Sequence, residues 1–323
     1  MLPSSTPSHS AQLNRPILVL LPVYNGAAFL QAQLDSVLNQ RYSPVHIICR
    51  DDGSKDGSLA LLKRAQQLAP DRIFVIEDAL GNLGASASFA LLLAHSLSDT
   101  FSPPTTRADQ VPYVALCDQD DVWHPDKLAV CAEKLAQLET DHPNKAALVH
   151  SDLQVVAENG STIAPSMARY QGLRTQDQAF NAQLLSNTLT GCTSLFNRHL
   201  VEQSLPIPEG AIMHDWWLSL VASAFGVRAY IDQALIDYRQ HASNAIGAKA
   251  VESKPLSRWR LKRWMDNRHA HIFDLNARQA AAFRKRYSKA LSIRQRLVLW
   301  TALGLRLPVP IVQRVIYHLL RKI

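Results

Sequence analysis

The sequence predicts an α/β protein in which amphipathic helices cover a doubly wound, mixed sheet. Apolar runs of strand length alternate with segments whose apolar side chains recur at helical spacing, which is the pattern of such a sheet. Polar motifs directly follow the first, second and fourth apolar runs. Because parallel strands in this fold end at a shared edge, where ligands bind, these motifs are expected to form one site.

Seven apolar runs have the length and composition of strands. They are residues 17–21, 45–49, 73–76, 113–117, 147–156, 191–196 and 231–238. The fourth run ends in three carboxylates, Asp118, Asp120 and Asp121, and Pro125 then suits the first turn of a helix. Another helix is expected to open at His214.

Length and composition predict a folded protein with a large core. At 323 residues and 47% hydrophobic content, the chain is long enough for one large or two ordinary domains, which excludes disordered and collagenous classes. The four cysteines show no metal-type spacing, so reduced cytoplasmic thiols are expected. Residues 1–15 lack the apolar segment of a signal peptide and are predicted to be a disordered tail. No run of eighteen apolar residues predicts a transmembrane helix.

Charge divides the chain into two parts. Residues 251–323 hold 17 Lys and Arg and 3 acidic residues, a net charge of +14, whereas residues 1–250 carry −7. We therefore expect a catalytic or binding domain over residues 16–250 and a basic helical region over residues 251–323.

The end of the basic region has an amphipathic pattern. Its apolar side chains recur at helical spacing from Ile311 to Ile323, opposite Gln313, Arg314 and Arg321. An anionic membrane surface selects such a helix, but packing on the chain's own catalytic domain gives the same apolar stripe. The charge balance favours the membrane, and the lack of a nucleic-acid-binding motif argues against nucleic acid as a partner.

Phosphate-binding loops of the common kinds are missing. The sequence contains neither a Gly-x-x-x-x-Gly-Lys-[Ser/Thr] loop nor a Gly-x-Gly-x-x-Gly turn. Any phosphate bound at the sheet edge is therefore expected to be held through a metal, for which the carboxylates at 118–121 are candidates.

An ordered set of motifs carries a family resemblance. Leu-Pro-Val-Tyr-Asn at 21–25, Asp-Asp-Gly-Ser at 51–54, Asn-x-Gly at 82–84, Asp-Gln-Asp-Asp-x-Trp at 118–123, His-Asp-Trp-Trp at 214–217 and Tyr-Arg-Gln-His at 238–241 follow one another. Over about residues 16–245 the chain resembles a family 2 glycosyltransferase of the GT-A fold and is similar to bacterial rhamnosyltransferase-like members.

The resemblance implies how a nucleoside diphosphate-sugar donor is bound. Pro22, Tyr24 and Asn25 would enclose the base, with Tyr24 stacking on it. Asp52, with Asp51 beside it, would accept a hydrogen bond from the ring N–H of a uracil- or thymine-like base, although an Asp-Gly turn explains both residues equally simply. The remaining candidate contacts to ribose, sugar or diphosphate are Asn82, Gly84, Asp118 and Arg239.

The resemblance also implies a divalent cation, Mg²⁺ or Mn²⁺. Asp120 in the Asp-x-Asp motif would hold it, Asp118 would support the metal or face the ribose, and His241 would contribute from the end of the domain. Asp121 would either support the ligands or cap the following turn.

Asp215 is the candidate general base. An acceptor hydroxyl must lose its proton to a carboxylate, and the resemblance assigns this role to Asp215, although a helix cap is the competing interpretation. His214 stands where relatives often carry Glu. The acceptor side would include Thr190, Gly191, Trp216 and Trp217, with at least one tryptophan in the core.

The resulting hypothesis is an inverting, metal-dependent glycosyltransferase. It would move a sugar, with rhamnose as the candidate, from a dTDP- or UDP-sugar to a saccharide or lipid-linked acceptor for a cell-surface polysaccharide. The reaction would take place at the cytoplasmic face of the inner membrane. The alternatives are a sugar-nucleotide nucleotidyltransferase, whose triphosphate loop is missing after Leu21, and a non-catalytic sugar-nucleotide binding subunit, against which Asp118, Asp120 and Asp215 argue together.

Overall fold

A computed structural model describes residues 15–98, 111–176, 178–241 and 270–322. Within these ranges one mixed sheet has the strand order β3-β2-β1-β4-β8-β6-β9-β5, with β7 paired to β6. The strands are β1 (Ile17–Val23), β2 (Val45–Asp51), β3 (Ile73–Ile76), β4 (Tyr113–Leu116), β5 (Val122–Trp123), β6 (Ala147–Ala157), β7 (Thr162–Ala164), β8 (Ser194–Phe196) and β9 (Val227–Gln240). The predicted α/β class and mixed sheet are confirmed.

Helices connect the strands and continue beyond the sheet. They are α1 (Ala27–Leu38), α2 (Ser58–Leu68), α3 (Ala85–His95), α4 (Lys127–Asp141), α5 (Met167–Gln171), α6 (Phe180–Leu185), α7 (Arg198–Ser204), α8 (His214–Phe225), α9 (Ala270–Tyr287), α10 (Ile293–Leu303) and α11 (Pro310–Leu320). Short 3₁₀ turns span Gly191–Thr193 and Gly304–Arg306. None of the helices in the described part of the chain is long and apolar enough to cross a membrane.

The first half of the sheet places the site. β1 pairs in parallel with β2 and β4, and β2 pairs in parallel with β3, so these strands end at one edge. The second half is mixed: β8 is antiparallel to β4 and β6, whereas β9 runs parallel to β6. The two-residue strand β5 was not predicted. It pairs with Ile236 and Asp237, which brings the end of β9 close to residues 118–121, the acidic loop.

The sheet has an apolar core on each face. Alternate residues of β1 divide between them, with Ile17, Val19 and Leu21 in one core and Leu18 and Leu20 in the other. This is the result of the strand period of two. The continuous apolar run in the sequence therefore corresponds to a strand covered on both sides.

The C-terminal helices share the second core with the sheet. α9 buries Phe273, Ala277, Ala280 and Phe283 in the cluster that also contains Leu18 of β1. Residues 270–322 therefore pack on the catalytic domain, which was one of the two predicted alternatives for this region. The predicted boundary near residue 250 lies outside the described residues, as does the predicted tail except for Arg15, whose Nη1 donates to Glu139 Oε2 at 2.8 Å.

The four cysteines, Cys49, Cys117, Cys131 and Cys192, are buried and unpaired. This arrangement agrees with the reduced thiols that the sequence predicts. The structure contains no contact that would join any two of them as a disulfide.

Candidate functional site

The loops that follow β1 and β2 are joined by hydrogen bonds. Asn25 has a positive φ of 48°, and its Oδ1 accepts a hydrogen bond from the backbone N–H of Lys55 at 2.8 Å. Its own N–H donates to Ser54 Oγ at 2.9 Å. Asn25 therefore shapes the loop, whereas the ring of Tyr24, which is 45% exposed, remains open to a planar ligand. Pro22 is the half-buried residue before the last residue of β1.

Asp52 is buried and already satisfied by the protein. It forms an ion pair with the fully buried Arg50, and it accepts hydrogen bonds from Ser88 Oγ at 2.8 Å and from the backbone of Leu83 and Gly84 at 2.8 and 2.9 Å. Burial alone would raise the pKa of Asp52, but these donors outweigh it and lower the pKa. Asp52 therefore holds the loop that carries Asn82 and Gly84, while its predicted contact with the nucleobase stays a prediction.

Asp51 points away from that network. Its Oδ2 accepts hydrogen bonds from the backbone N–H groups of Gly53 and Ser54 at 3.2 and 3.0 Å. Its Oδ1 is buried and finds no hydrogen-bond partner among the described residues. A buried carboxylate oxygen that lacks a donor is costly, so Asp51 is the better candidate to accept a base N–H.

A compact cluster contains two aspartates of the acidic loop, Asp118 and Asp121, together with Cys192. One ligand atom from each lies within 4.8 Å of the others. Burial, followed by the charges of Asp120 and Asp215, raises the pKa of Asp118 to about 7. Burial and the charges of Asp118 and Asp120 raise the pKa of Asp121 well above its usual value. This accumulation of buried negative charge requires a cation or protons.

Cys192 is not a suitable ligand for a hard cation. Burial, followed by the charges of Asp121 and Asp118, raises the pKa of its thiol well above the usual value, so it stays protonated. Asp121 Oδ2 is a buried oxygen that accepts no N–H or O–H hydrogen bond from the described residues. The donor set thus consists of carboxylate oxygens, which Mg²⁺ and Mn²⁺ prefer.

The end of β9 closes over the acidic loop. His241 Nε2 lies 2.9 Å from Asp120 Oδ2, and its ring stacks on Phe29 of α1 at 4.6 Å between centroids. Arg239 donates from its backbone N–H to Asp121 Oδ1 at 3.3 Å and from Nε to the Asp120 carbonyl at 3.2 Å. Asp118, Asp120 and His241, predicted separately along the sequence, are thus brought to one place.

Gln119 links the acidic loop, residues 118–121, to the loop after β1 that carries Tyr24. Its Oε1 accepts a hydrogen bond from the Tyr24 N–H at 2.7 Å, and its Nε2 donates to the Tyr24 carbonyl at 3.0 Å. A Cβ at Gly26 would lie 2.5 Å from Gln119 Oε1, so glycine is required for this approach. The side chain between the two aspartates of the Asp-x-Asp motif therefore fixes the position of Tyr24.

Asp215 lies in the first turn of α8 and faces the acidic cluster. Its Oδ1 accepts a hydrogen bond from the Trp216 N–H at 2.7 Å, and its Oδ2 accepts one from Asn187 Nδ2 at 3.2 Å. Burial raises its pKa to about 6. The N-cap position belongs to Met213, so Asp215 is not the helix cap in the strict sense. A carboxylate with a raised pKa and two orienting donors suits a general base.

His214 is buried beside Asp215 and stacks on Phe89 at 4.1 Å between ring centroids. Burial lowers its pKa to about 3, so the ring is neutral near pH 7. It therefore cannot replace the acid that the resemblance places at this position.

Both tryptophans of the motif are core residues. Trp217 is fully buried and its Nε1 donates to the Ser204 carbonyl at 3.0 Å, so its predicted contact with an acceptor is wrong. Trp216 is 7% exposed and donates to the Gln183 carbonyl at 2.6 Å, which leaves little ring surface for a sugar. The C-terminal helices explain this, since Phe283 and Tyr287 of α9 pack against Trp217.

Gly191, predicted with Thr190 for the acceptor side, lies next to Asp215. A Cβ at Gly191 would be 3.4 Å from the Asp215 Cβ and 3.6 Å from His214 Nε2. Thr190 also lines a narrow cleft, with room for little more than a water molecule, together with Thr188, Tyr230 and neighbouring residues.

Sequence reasoning missed Arg50, Gln119 and Asn187. Arg50 had a detectable signal, because a charged residue inside a buried apolar strand needs a carboxylate partner. Gln119 and Asn187 carry no such signal, since each is a polar residue in a loop.

Comparison with known proteins gives a family match. The profile described as "Glycosyl transferase family 2" matches residues 18–205. A dTDP-rhamnosyl transferase, RfbG of Shigella flexneri, is 23% identical over 236 residues, covering 71% of this chain and 74% of RfbG. An uncharacterized glycosyltransferase, alr2836 of Nostoc sp., is 26% identical over 265 residues, covering 80% of this chain and 75% of that protein.

Solved structures share the fold. S. aureus TarS aligns with a TM-score of 0.51 at 14% identity, covering 95% of this chain and 53% of TarS. GalNAc-T7, solved with UDP, GalNAc and Mn²⁺, aligns with a TM-score of 0.50 at 12% identity, covering 71% of this chain and 44% of that chain. At such identities the likeness establishes the GT-A fold alone.

Proposed function

Because the chain belongs to glycosyl transferase family 2 and is a glycosyltransferase, we propose that it transfers a sugar from a nucleoside diphosphate donor with inversion, in a metal-dependent reaction. One observation carries the proposal. Asp118, Asp120 and Asp121 converge at the carboxyl end of β4, and Asp215 faces them closely enough for its charge to raise the pKa of Asp118. In the proposed reaction, the three aspartates would hold the cation and Asp215 would act as the base on the reacting sugar.

The donor base is uracil or thymine. Asp51 Oδ1, which lacks a donor among the described residues, would accept the ring N3–H, and the exposed ring of Tyr24 would stack on the base. Rhamnose from a dTDP donor is the candidate sugar, because the relative RfbG is named for that activity. The diphosphate would lie between the base site and Asp215, beside Arg239.

Carboxylate oxygens and the imidazole of His241 fit Mg²⁺ or Mn²⁺. Asp120 and His241, held 2.9 Å apart, are the proposed direct ligands, with Asp118 supporting them. When bound, the ion would neutralise charge on the leaving nucleoside diphosphate. Arg239 holds the loop in place by its contacts to Asp120 and Asp121.

Asp215 supplies the base chemistry. As the acceptor oxygen bonds to the anomeric carbon, its proton passes to the Asp215 carboxylate, and the bond to the nucleoside diphosphate breaks with the electron pair leaving on the phosphate. A single displacement of this kind inverts the anomeric centre. The Trp216 N–H and Asn187 Nδ2 donate to the two oxygens of Asp215 and so orient the carboxylate.

The acceptor is a saccharide or a lipid-linked saccharide of a cell-surface polysaccharide. We place the enzyme at the cytoplasmic face of the inner membrane, where the +14 charge of residues 251–323 would attract anionic lipid. Thr190 and Gly191 would line the acceptor side, where Gly191 lies beside Asp215.

Replacing Asp215 with Asn tests the reaction. The variant keeps the size of the side chain and should bind UDP or dTDP within a few fold of wild type, while turnover with a panel of sugar nucleotides falls by about 10² or more. The matched control is Asp274→Asn, a carboxylate on α9 that pairs with Arg278 at 2.7 Å. Normal turnover in Asp215→Asn would refute the assignment.

A further inference from the structure

A surface at the C-terminal end of the chain exposes large apolar side chains instead of burying them. We call it the apolar ridge. Its members are Ile293, Leu297, Trp300, Leu307, Val309, Ile311, Val312, Val315 and Leu319. They come from α10, the segment after it and α11. Leu297 is 63% exposed and Trp300 is 58% exposed, so this is not the edge of a packed core.

The ridge is separate from the faces that hold the helices to the protein. α10 buries Val298, Leu299 and Ala302, while Ile293, Leu297 and Trp300 recur on its outer side. The spacing of four and then three residues makes a continuous stripe along a helix.

α11 repeats this arrangement. It buries Gln313 and Leu320, and Ile316 packs against the shared core. Ile311, Val315 and Leu319 are exposed at intervals of four residues. Because internal packing is already complete on one side of each helix, the second apolar side has no structural task in the described chain.

Charge selects the partner. Residues 275–322 contain eleven Lys and Arg and no acidic residue. A second copy of this chain docking through the same surface would bring like charges together, whereas an anionic lipid surface would neutralise them. Nucleic acid would also neutralise the charge, but it offers no medium for nine large apolar side chains.

Trp300 has the setting of an interfacial aromatic residue. The guanidinium of Arg284 lies over its ring at 4.2 Å from the centroid. Such a pair places an apolar ring and a cation at the same level, which suits the boundary between acyl chains and headgroups. The charged ends of Arg321 and Lys322 follow directly after α11 and are exposed.

We propose that the apolar ridge inserts into the interfacial layer of an anionic membrane, so that the enzyme is held by apolar burial as well as by charge. This goes beyond the electrostatic attachment proposed above and does not depend on the transfer reaction. It also fixes one side of the catalytic domain against the membrane, because the helices that carry the ridge share a core with the sheet.

The test measures binding of the full-length protein to vesicles of phosphatidylcholine with and without phosphatidylglycerol, by co-sedimentation. The combined variant Leu297→Gln, Val315→Gln and Leu319→Gln should lose about fivefold in partition for each half-buried side chain, or about a hundredfold in total. The control Leu68→Gln changes a leucine that is 77% exposed on α2 and should bind as wild type does.

Salt separates insertion from simple charge attraction. Arg321→Gln with Lys322→Gln should weaken binding about fivefold per residue at low ionic strength and much less at high ionic strength. The loss of vesicle binding caused by the three glutamine substitutions should persist at both low and high ionic strength. Brominated lipid should quench tryptophan fluorescence in the wild type and less in Trp300→Phe.

Two results would overturn the proposal. One is unchanged vesicle binding by the triple glutamine variant. The other is a wild-type protein that ignores anionic vesicles but self-associates, with the triple variant monomeric in sedimentation, since the ridge would then be an interface between copies. Neither result depends on glycosyl transfer, so each leaves the proposed sugar transfer standing, although the second would also remove the proposed attraction to anionic lipid.

Discussion

Replacing Asp51 with Asn should weaken the binding of UDP and dTDP while leaving the fold intact. The asparagine carbonyl can still accept the N–H groups of Gly53 and Ser54, as Asp51 Oδ2 does now. The position of Oδ1 would then hold an NH₂ group facing the ring N3–H, donor against donor. A hydrogen bond to a charged group contributes about 1.5–3 kcal/mol, so the dissociation constant should rise roughly 10- to 150-fold.

The same substitution at Asp52 should have a different result. Asp52 accepts hydrogen bonds from Ser88 and two backbone groups and neutralises the fully buried Arg50, which keeps Asp78 as a partner at 2.7 Å. Breaking a buried pair costs about 3–5 kcal/mol, and we expect the lower end because Asp78 remains. Asp52→Asn should therefore lower the free energy of unfolding by about 3 kcal/mol and impair donor binding only through the disturbed loop.

Calorimetric titration and denaturant unfolding distinguish the two roles. UDP methylated at N3 lacks the ring N–H, so wild type should bind it about as weakly as Asp51→Asn binds UDP. Asp51→Asn should bind the methylated UDP no more weakly than UDP itself, because the variant no longer accepts a hydrogen bond from the ring N–H. If Asp52→Asn instead lost the discrimination against the methylated base while remaining as stable as wild type, the division of roles would be wrong.

Three further predictions concern the metal, the base and the shared core. Asp120→Ala should abolish the part of donor binding that depends on Mg²⁺ or Mn²⁺, and calorimetry with and without the ion checks this; persistence of that part would remove Asp120 as a ligand. Because Asp215 has a pKa raised to about 6 and must be ionised to accept a proton, kcat/KM should fall as the pH drops through about 6. A kcat/KM that stays constant to pH 5, with donor binding unchanged, would argue against Asp215 as the base. Phe283→Ala should lower the stability of the whole chain by about 3–5 kcal/mol in a single transition, whereas the exposed Leu297→Ala should change it by less than about 0.5 kcal/mol; a catalytic domain that unfolds as before would mean that α9 is a separate unit.

The parallel half of the sheet was predictable because each of its strands is apolar on both faces. Runs such as residues 17–21 allow no other placement, and the motifs after them reach one edge through the topology. The short strand β5 could not be predicted from its two residues, because its existence depends on pairing with β9. It is nevertheless the element that brings His241 to Asp120.

The roles of the paired aspartates could have been predicted more closely. Side chains alternate along a strand, so Arg50 and Asp52 must share a face and Asp51 must take the other. The arginine in an apolar strand requires the carboxylate on its own side. Family motifs identify both Asp51 and Asp52 as site residues but do not distinguish their roles. The alternation of side chains along the strand does distinguish them.

The C-terminal region shows why periodicity alone left two alternatives open. The apolar residues of α11 cover two adjacent sides of the helix, so the sequence is consistent both with packing on the domain and with a membrane surface. In the structure Leu320 is fully buried, whereas Leu319, its neighbour in the chain, is 51% exposed. Packing therefore accounts for one side only. The other side belongs to the apolar ridge, for which an anionic membrane is the proposed partner, so one helix can serve both alternatives.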